Sequence, residues 1–349
     1  MINKSFFSTE ILRWFRENGR DLPWRETRDP YAIWLSEIIL QQTRIAQGWE
    51  YWERFMQTYP KVEDLAAASE DDVLKLWQGL GYYSRARNLH TAAKQIVALG
   101  AFPNTLEGIK SLKGVGDYTA AAIGSFAFDI PAAVVDGNVY RVLSRYFGID
   151  TPINSTQGKK EFAALAQSLL PASDAASYNQ GMMDFGAIQC TPQSPKCLLC
   201  PFAETCEALR CGRVEELPVK NKTVKVKTRH LSYIYIRCKS SAADDAGNSE
   251  PMVAIHRRGE GDIWQGLWEP YNVSDIKELP SFVKNPILLA KDVKHVLTHR
   301  ILLADFYLLE TESRPPLPDD YIWIKESEIE DYGVPRLIEI MLEKINPAE

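Results

Sequence analysis

The hydrophobic repeat of this chain changes once, near Cys211, from helical spacing to strict alternation, and one packed layer cannot serve both patterns. Before the change, helix follows helix. Between Tyr31 and Tyr59, Trp34, Ile38, Ile45, Trp49 and Trp52 recur at helical spacing until Pro60. Further helical stretches span Asp64–Leu76, Ser84–Leu99, Thr105–Ser111, Asp117–Phe126, Gly137–Phe147 and Gln157–Leu170. Short Gly- and Pro-bearing turns separate them, so residues 1–211 read as an all-α domain. Lys220, Lys222, Lys225, Lys227 and Arg229 follow with no acidic residue among them, and 212–229 reads as a basic interdomain connector. From His230 on, HLSYIYIRC, PMVAIHRR, HRILLADFYLLE and YIWI alternate as strands, and Pro335–Ile345 as a closing helix. Residues 230–349 are therefore expected to be α+β with a mostly antiparallel sheet. KSSAADDAGNSE, between the first two strands, reads as a polar loop left mobile. A length of 349 residues independently favours two domains.

Apolar residues at 45 % and charged residues at 25 % exclude a disordered chain. No run of apolar residues is long enough to span a membrane, and the start, MINKSFFSTEILRWFRENGR, lacks the apolar core of a secretory leader. A monomeric cytoplasmic protein is expected, nucleoid-associated if bacterial. The net charge of −6 argues weakly against nucleic acid, but net charge says little about one face, and the basic residues are clustered.

Cys190, Cys197, Cys200 and Cys206 are spaced C-x6-C-x2-C-x5-C, which in an intracellular chain reads as a metal site. Four thiolates on short loops hold either a [4Fe–4S] cluster or a zinc ion, and zinc sites usually pair two C-x2-C knuckles where this chain has one. The spacing resembles the cluster loop of the endonuclease III-like DNA glycosylases, a resemblance that implies a [4Fe–4S] cluster. Cys211 and Cys238 lack such partners and read as free thiols.

LKGVGDYTA, residues 112–120, joins two helical stretches through a Gly-x-Gly turn. Such a turn leaves backbone N–H groups open at a helix N-terminus, an anion site in waiting, although alone it would be only a tight connection. Beside Lys113 and the cysteine loop, Lys113, Gly114, Val115 and Gly116 read as a helix–hairpin–helix clamp on DNA phosphate, positioning a duplex without reading its sequence. By the same resemblance, bifunctional members carry a lysine nucleophile where this chain has Tyr118. A phenol forms no Schiff base, so lyase activity should be weak or absent. The chain thus resembles most closely the MutY-type adenine DNA glycosylases.

Breaking a glycosidic bond takes a proton for the leaving group and a negative charge beside the cationic sugar. Glu37 lies in AIWLSEIIL, apolar on nearly every side, where burial would keep a carboxyl protonated near neutral pH. Asp136, in AAVVDGNVYR, would cap a helix and stay ionised by its N–H groups and dipole. Taken singly, each has a plain structural reading, a surface ion pair or a cap. Together, SEIILQQT and VVDGNVYR are similar to the catalytic segments of that family, which implies Glu37 as general acid, Asp136 as the stabilising anion, and Tyr118 and Asn138 as orienting groups.

The resemblance further implies an adenine pocket of Arg20, Leu22, Trp24 and Gln180, with Trp24 able to stack on a flipped purine. It implies duplex contacts at Gln42 and Thr43 and intercalation by Tyr82, in GLGYYSRARN. WQGLWEP, residues 264–270, is similar to the family's Nudix-like lesion-recognition domain. There Leu297, Thr298 and His299 stand at the lesion-reading loop; Thr298 keeps a hydroxyl, and Leu297 replaces an aromatic ring. No magnesium-binding R-E-x-x-E-E helix occurs in residues 230–349, which disfavours nucleotide hydrolysis there. The implied partner is double-stranded DNA carrying adenine opposite 8-oxoguanine or guanine. The rival readings are a glycosylase/lyase acting on oxidised pyrimidines and a non-catalytic sensor of damaged DNA.

Overall fold

The computed structural model describes residues 4–221, 226–239, 250–273 and 279–346. Helices α1 (Lys4–Asn18), α2 (Pro30–Ile39), α3 (Ile45–Thr58), α4 (Val62–Ala67), α5 (Glu70–Leu76), α6 (Ser84–Leu99), α7 (Leu106–Lys110), α8 (Asp117–Phe128), α9 (Gly137–Phe147), α10 (Thr156–Leu169), α11 (Ala175–Asp184) and α12 (Glu207–Arg210) come first. Strands β1 (Lys227–Cys238), β2 (Met252–Arg257), β3 (Trp268–Glu269), β4 (Tyr271–Val273), β5 (Ile287–Val296), β6 (Arg300–Thr311) and β7 (Tyr321–Lys325) and helix α13 (Arg336–Ile345) follow. The chain is a multidomain protein, an all-α part followed by an α+β part.

Several helices start where side chains can take up open N–H groups. Asp29 accepts from Tyr31 ahead of α2, Ser69 from Asp72, Thr105 from Gly108, Asp136 from Val139 and Ser155 from Gly158. Two stretches that read as single helices are broken. Tyr31–Tyr59 divides into α2 and α3 because Gln42 turns left-handed (φ 58°), and Gly48 then lets α3 close on Leu40 and Ile39. Asp64–Leu76 divides at Ser69, whose hydroxyl starts α5 afresh.

By their contacts the residues form two compact units, Met1–Ala67 with Thr91–Lys222, and Ala68–His90 with Thr223–Glu349. The helical segment carrying α5 and the start of α6 thus packs with the strands. In the first unit Phe7, Ile11, Trp14, Leu143, Tyr146, Phe162 and Phe185 form the core. Phe202, lying between Cys200 and Cys206, stacks on Phe7 at 4.9 Å and so ties the cysteine loop into that core.

In the second unit the sheet runs β3-β2-β1-β6-β5, with β4 on β1 and β7 on β2. Its pairings are antiparallel except the central one: β1 runs parallel to β6 over its whole length, Lys227 opposite Arg300 through Cys238 opposite Thr311. Lys227 and Arg229, read from sequence as connector, are strand residues, because β6 offers them a partner that no local pattern reveals. Lys222 and Lys225 lie outside the described residues, as do residues 240–249 of the polar loop. The apolar face holds Leu231, Tyr233, Tyr235, Ile255 and Phe306 against Leu337, Ile338 and Met341 of α13.

Candidate active site

Glu37 sits two residues from the end of α2, a helix buried along nearly all of its length, and is itself only 7 % exposed. Its Oε2 accepts a hydrogen bond from the Tyr118 hydroxyl at 2.9 Å. Burial pushes its carboxyl up to about 7; the like charge of Asp136 adds to that, while the Tyr118 bond and the Arg25 charge oppose it. Desolvation, more than Glu37 and Asp136, raises the Tyr118 phenol well above its ordinary value, so it stays a donor.

Asp136 caps α9. Its Oδ1 accepts from the Val139 N–H at 2.7 Å and its Oδ2 from the Asn138 amide at 2.8 Å. The sequence expectation that the cap alone keeps this group ionised needs amending: burial raises the carboxyl above its usual value, and the bonds from Val139 and Asn138 and the charge of Arg141 pull the other way. The two acids still differ in kind, with several donors on Asp136 and one on Glu37.

Both carboxyls open onto one cleft with Arg20, Gln41, Gln42, Thr43, Arg44, Tyr118 and Asn138. Beside it, and sharing Arg20 and Glu37, a narrower pocket is lined by Leu22, Trp24, Arg25, Phe126 and Gln180. The four residues expected around a base thus surround one hollow that ends on the expected acid. Trp24 is also packed edge-on against Trp49 and Trp52, at 5.9 and 5.8 Å, so the pocket and the core share this ring. Gln180 is half-buried and faces the pocket from α11.

Sequence reasoning missed three groups here. Arg25 directly follows Trp24 in RDLPWR. Asp184, fully buried at the end of α11, binds both Arg20 and Arg25. Arg141, one turn into α9, reaches Asn138 Oδ1 at 2.8 Å, Gly186 O at 2.6 Å and Cys190 O at 2.7 Å. Gly186 lies in a π-helical turn, Phe185–Gln189, and a Cβ on it would meet the Asn138 Cβ at 2.5 Å. The one visible signal was GMMDFG itself, an acid in an otherwise apolar and glycine-flanked run.

Cys190, Cys197, Cys200 and Cys206 line one small cavity together with Arg145 and Gln189. Arg145 straps the loop to α9, donating to Thr191 O at 2.7 Å, Pro192 O at 3.1 Å and Cys190 Sγ at 3.4 Å. Burial first, then the neighbouring sulfurs, raises the thiols of Cys197, Cys200 and Cys206, that of Cys200 to about 12. Among the described residues no three Cys, His, Asp or Glu side chains are grouped to hold a single metal ion.

At the hairpin, Gly114 is left-handed (φ 78°) and Val115 N–H closes the turn on Leu112 O at 3.1 Å. The Lys113 N–H is taken by Gln95 Oε1 at 2.8 Å, so among the described residues the open donors ahead of α8 are those of Gly114 and Gly116. In the other unit, Tyr82 is left-handed (φ 47°) and 51 % exposed, and its hydroxyl meets Thr298 Oγ1 at 2.5 Å. Thr298 and His299 form the exposed two-residue turn between β5 and β6, whereas Leu297 is partly buried and packs against the apolar core.

Residues 35–171 match the family of HhH-GPD superfamily base excision DNA repair proteins, and residues 247–344 match the NUDIX domain. The adenine DNA glycosylase of Mus musculus is 43 % identical over 226 residues, 61 % of this chain and 44 % of that protein, so the chain spans less than half of the mouse relative. That of Buchnera aphidicola subsp. Acyrthosiphon pisum is 39 % identical, covering 76 % of this chain and 74 % of the relative. That of Buchnera aphidicola subsp. Schizaphis graminum is 30 % identical and covers 97 % and 98 %. Among solved structures, a thermostable thymine-DNA glycosylase superposes with a TM-score of 0.56 at 34 % identity, over 60 % of this chain and 97 % of its own. An endonuclease III–DNA complex, at 23 % identity and a TM-score of 0.53 over 61 % of this chain and 99 % of its own, shares the helical fold.

Proposed function

The chain belongs to the adenine DNA glycosylases, and on that premise we propose that it excises adenine from DNA in base excision repair by hydrolysing the N-glycosidic bond of a flipped nucleotide. The observation that carries this reading is the shared cleft: Glu37 and Asp136 open onto the same space, and the charge of one bears on the other. When two interacting carboxyls have one proton between them near neutral pH, it rests on the acid with fewer donors. That is Glu37, bonded by Tyr118, while Asp136 is held by Val139 and Asn138. Glu37 gives its proton to the departing adenine, Asp136 stabilises the oxocarbenium-like sugar, and water completes the break, leaving an abasic site.

The base enters between Trp24, Leu22, Arg20 and Gln180. The open N–H groups of Gly114 and Gly116 take a backbone phosphate. Tyr82, Thr298 and His299 read the opposite base, whose preferred identity is 8-oxoguanine or guanine. Tyr118 cannot replace a nucleophilic lysine, so the enzyme is monofunctional. The four cysteines hold a [4Fe–4S] cluster. They line one cavity, and their single C-x2-C knuckle suits a multi-iron cluster better than zinc. Arg145 would hold that loop against the helix capped by Asp136.

The test is single-turnover base release from duplexes with adenine opposite 8-oxoguanine, guanine and thymine. Asp136→Asn should slow release by at least about 1,000-fold while duplex binding persists. An active Asp136→Asn enzyme would refute the assignment, and borohydride trapping on an abasic duplex would expose a hidden lyase.

A further inference from the structure

Asp184 has no part in the reaction above, yet among the described residues of the helical unit it is the carboxylate with the most donors. It is wholly buried at the C-terminal end of α11, one turn beyond Gln180 and therefore on the same helical face. Its Oδ1 accepts from Arg20 Nε at 2.9 Å, from Arg20 Nη2, and from Arg25 Nη2 at 2.8 Å. Its Oδ2 accepts from the Arg20 backbone N–H at 2.9 Å and from Arg25 Nη1 at 2.8 Å. One acid thus clasps both ends of the RDLPWR segment, the segment that brings Leu22 and Trp24 to the pocket. We propose that Asp184 is a positioning residue: it pins Arg20 against the base pocket and offsets one of the two positive charges that Arg20 and Arg25 hold beside Glu37.

This inference rests on the reading of the cleft as an adenine-excising site. Two cations beside a general acid that must keep its proton would work against it, because positive charge favours the ionised carboxylate. The charged and titratable groups around Glu37 are Tyr118 from α8, Asp136 ahead of α9, Arg20 and Arg25 from the segment after α1, and Arg44 ahead of α3. Of these, Arg25 and Arg20 together carry two positive charges, of which Asp184 offsets one. Arg25 would remain in place without it, since Nη1 also donates to Arg20 O at 2.9 Å and the guanidinium lies 5.5 Å from the Phe15 ring centre. Removing the Asp184 charge therefore adds one net positive charge beside the acid, whereas removing Arg25 takes one away.

The two substitutions should move Glu37 in opposite directions. Asp184→Asn should lower the midpoint of Glu37 titration by about half a pH unit or more, and Arg25→Met should raise it. The titration is followed by 13C NMR of the carboxyl signal that disappears in Glu37→Gln, which needs no activity. Single-turnover adenine release at pH 7.5 should fall roughly tenfold or more in Asp184→Asn, with duplex binding nearly kept, and Asp184→Glu should restore part of it. An unmoved midpoint in Asp184→Asn, or shifts of the same sign in the two variants, would overturn the proposal even if the rate falls. Opposite shifts in a protein that releases adenine from no duplex would sustain the positioning role and overturn the function. An active enzyme with unmoved midpoints would do the reverse.

Discussion

Among the described residues two glutamates are buried, one in each unit, and their environments send them opposite ways. Glu37 has one hydrogen-bond donor, from Tyr118, and its carboxyl is pushed up to about 7. Glu269 is even less exposed, at 1 %, and burial raises its carboxyl too. It accepts, however, from Tyr233 at 3.0 Å, His256 at 3.1 Å, Asn272 at 2.6 Å and Arg258 at 2.5 Å. Burial is there outweighed by His256 and Arg258, and the carboxyl lies below its ordinary value. Depth does not decide whether a buried acid holds a proton; donors and cations do. The acid with few donors is free for chemistry, and the one with many holds its sheet together.

The comparison is sharpest when the same substitution is made at both places. Glu37→Gln removes the proton donor and should slow single-turnover base release by about 100- to 10,000-fold. Glu269→Gln leaves the buried Arg258 with only the partly exposed Asp262 as counter-charge and should cost about 3 kcal/mol of stability in chemical unfolding. Because the Glu269 carboxyl is depressed in the fold, its contribution is present above the ordinary carboxylate range and is lost in acid, so the penalty should shrink as pH falls. Glu37 carries the reverse sign. With its value raised from 4.5 to about 7, folding loses stability as pH rises between those values, so Glu37→Gln should gain as much as about 3 kcal/mol above neutral pH and nothing below 4.5. Equal stability changes at the two sites would break the contrast. The smallest effect belongs to Tyr118→Phe, which removes the donor that lowers Glu37. The pH above which base release fails should then move upward, by about one unit or less.

What could be read in advance was local. The cap at Asp136 announces itself as VVDGNV, and Glu37 as the lone charge in an apolar helix. The cysteine spacing and the hairpin are likewise contiguous. What escaped was contact across the chain. Asp184 meets Arg25 from 159 residues away, and no periodicity carries that information. The break between α2 and α3 has neither glycine nor proline to mark it, only the left-handed Gln42. Strand β5 is mostly exposed and irregular, with Asp292 at φ 52° and two register shifts, so its sequence never alternates. The parallel partnership of β1 with β6 is a matter of register between distant segments, as is the packing of residues 68–90 with the strands.

That last feature orders events during synthesis. Residues 68–90 leave the ribosome early, but what they pack with comes late: Arg257, against Glu70 and Asp71; Gln265, whose carbonyl receives Arg87; Val334, whose N–H reaches Gln78. The nascent helical part must therefore carry an unfinished edge until the final third of the chain is made. The loop bearing Tyr82 can meet Thr298 only then, so the contact between these two hydroxyls waits for the strands β5 and β6.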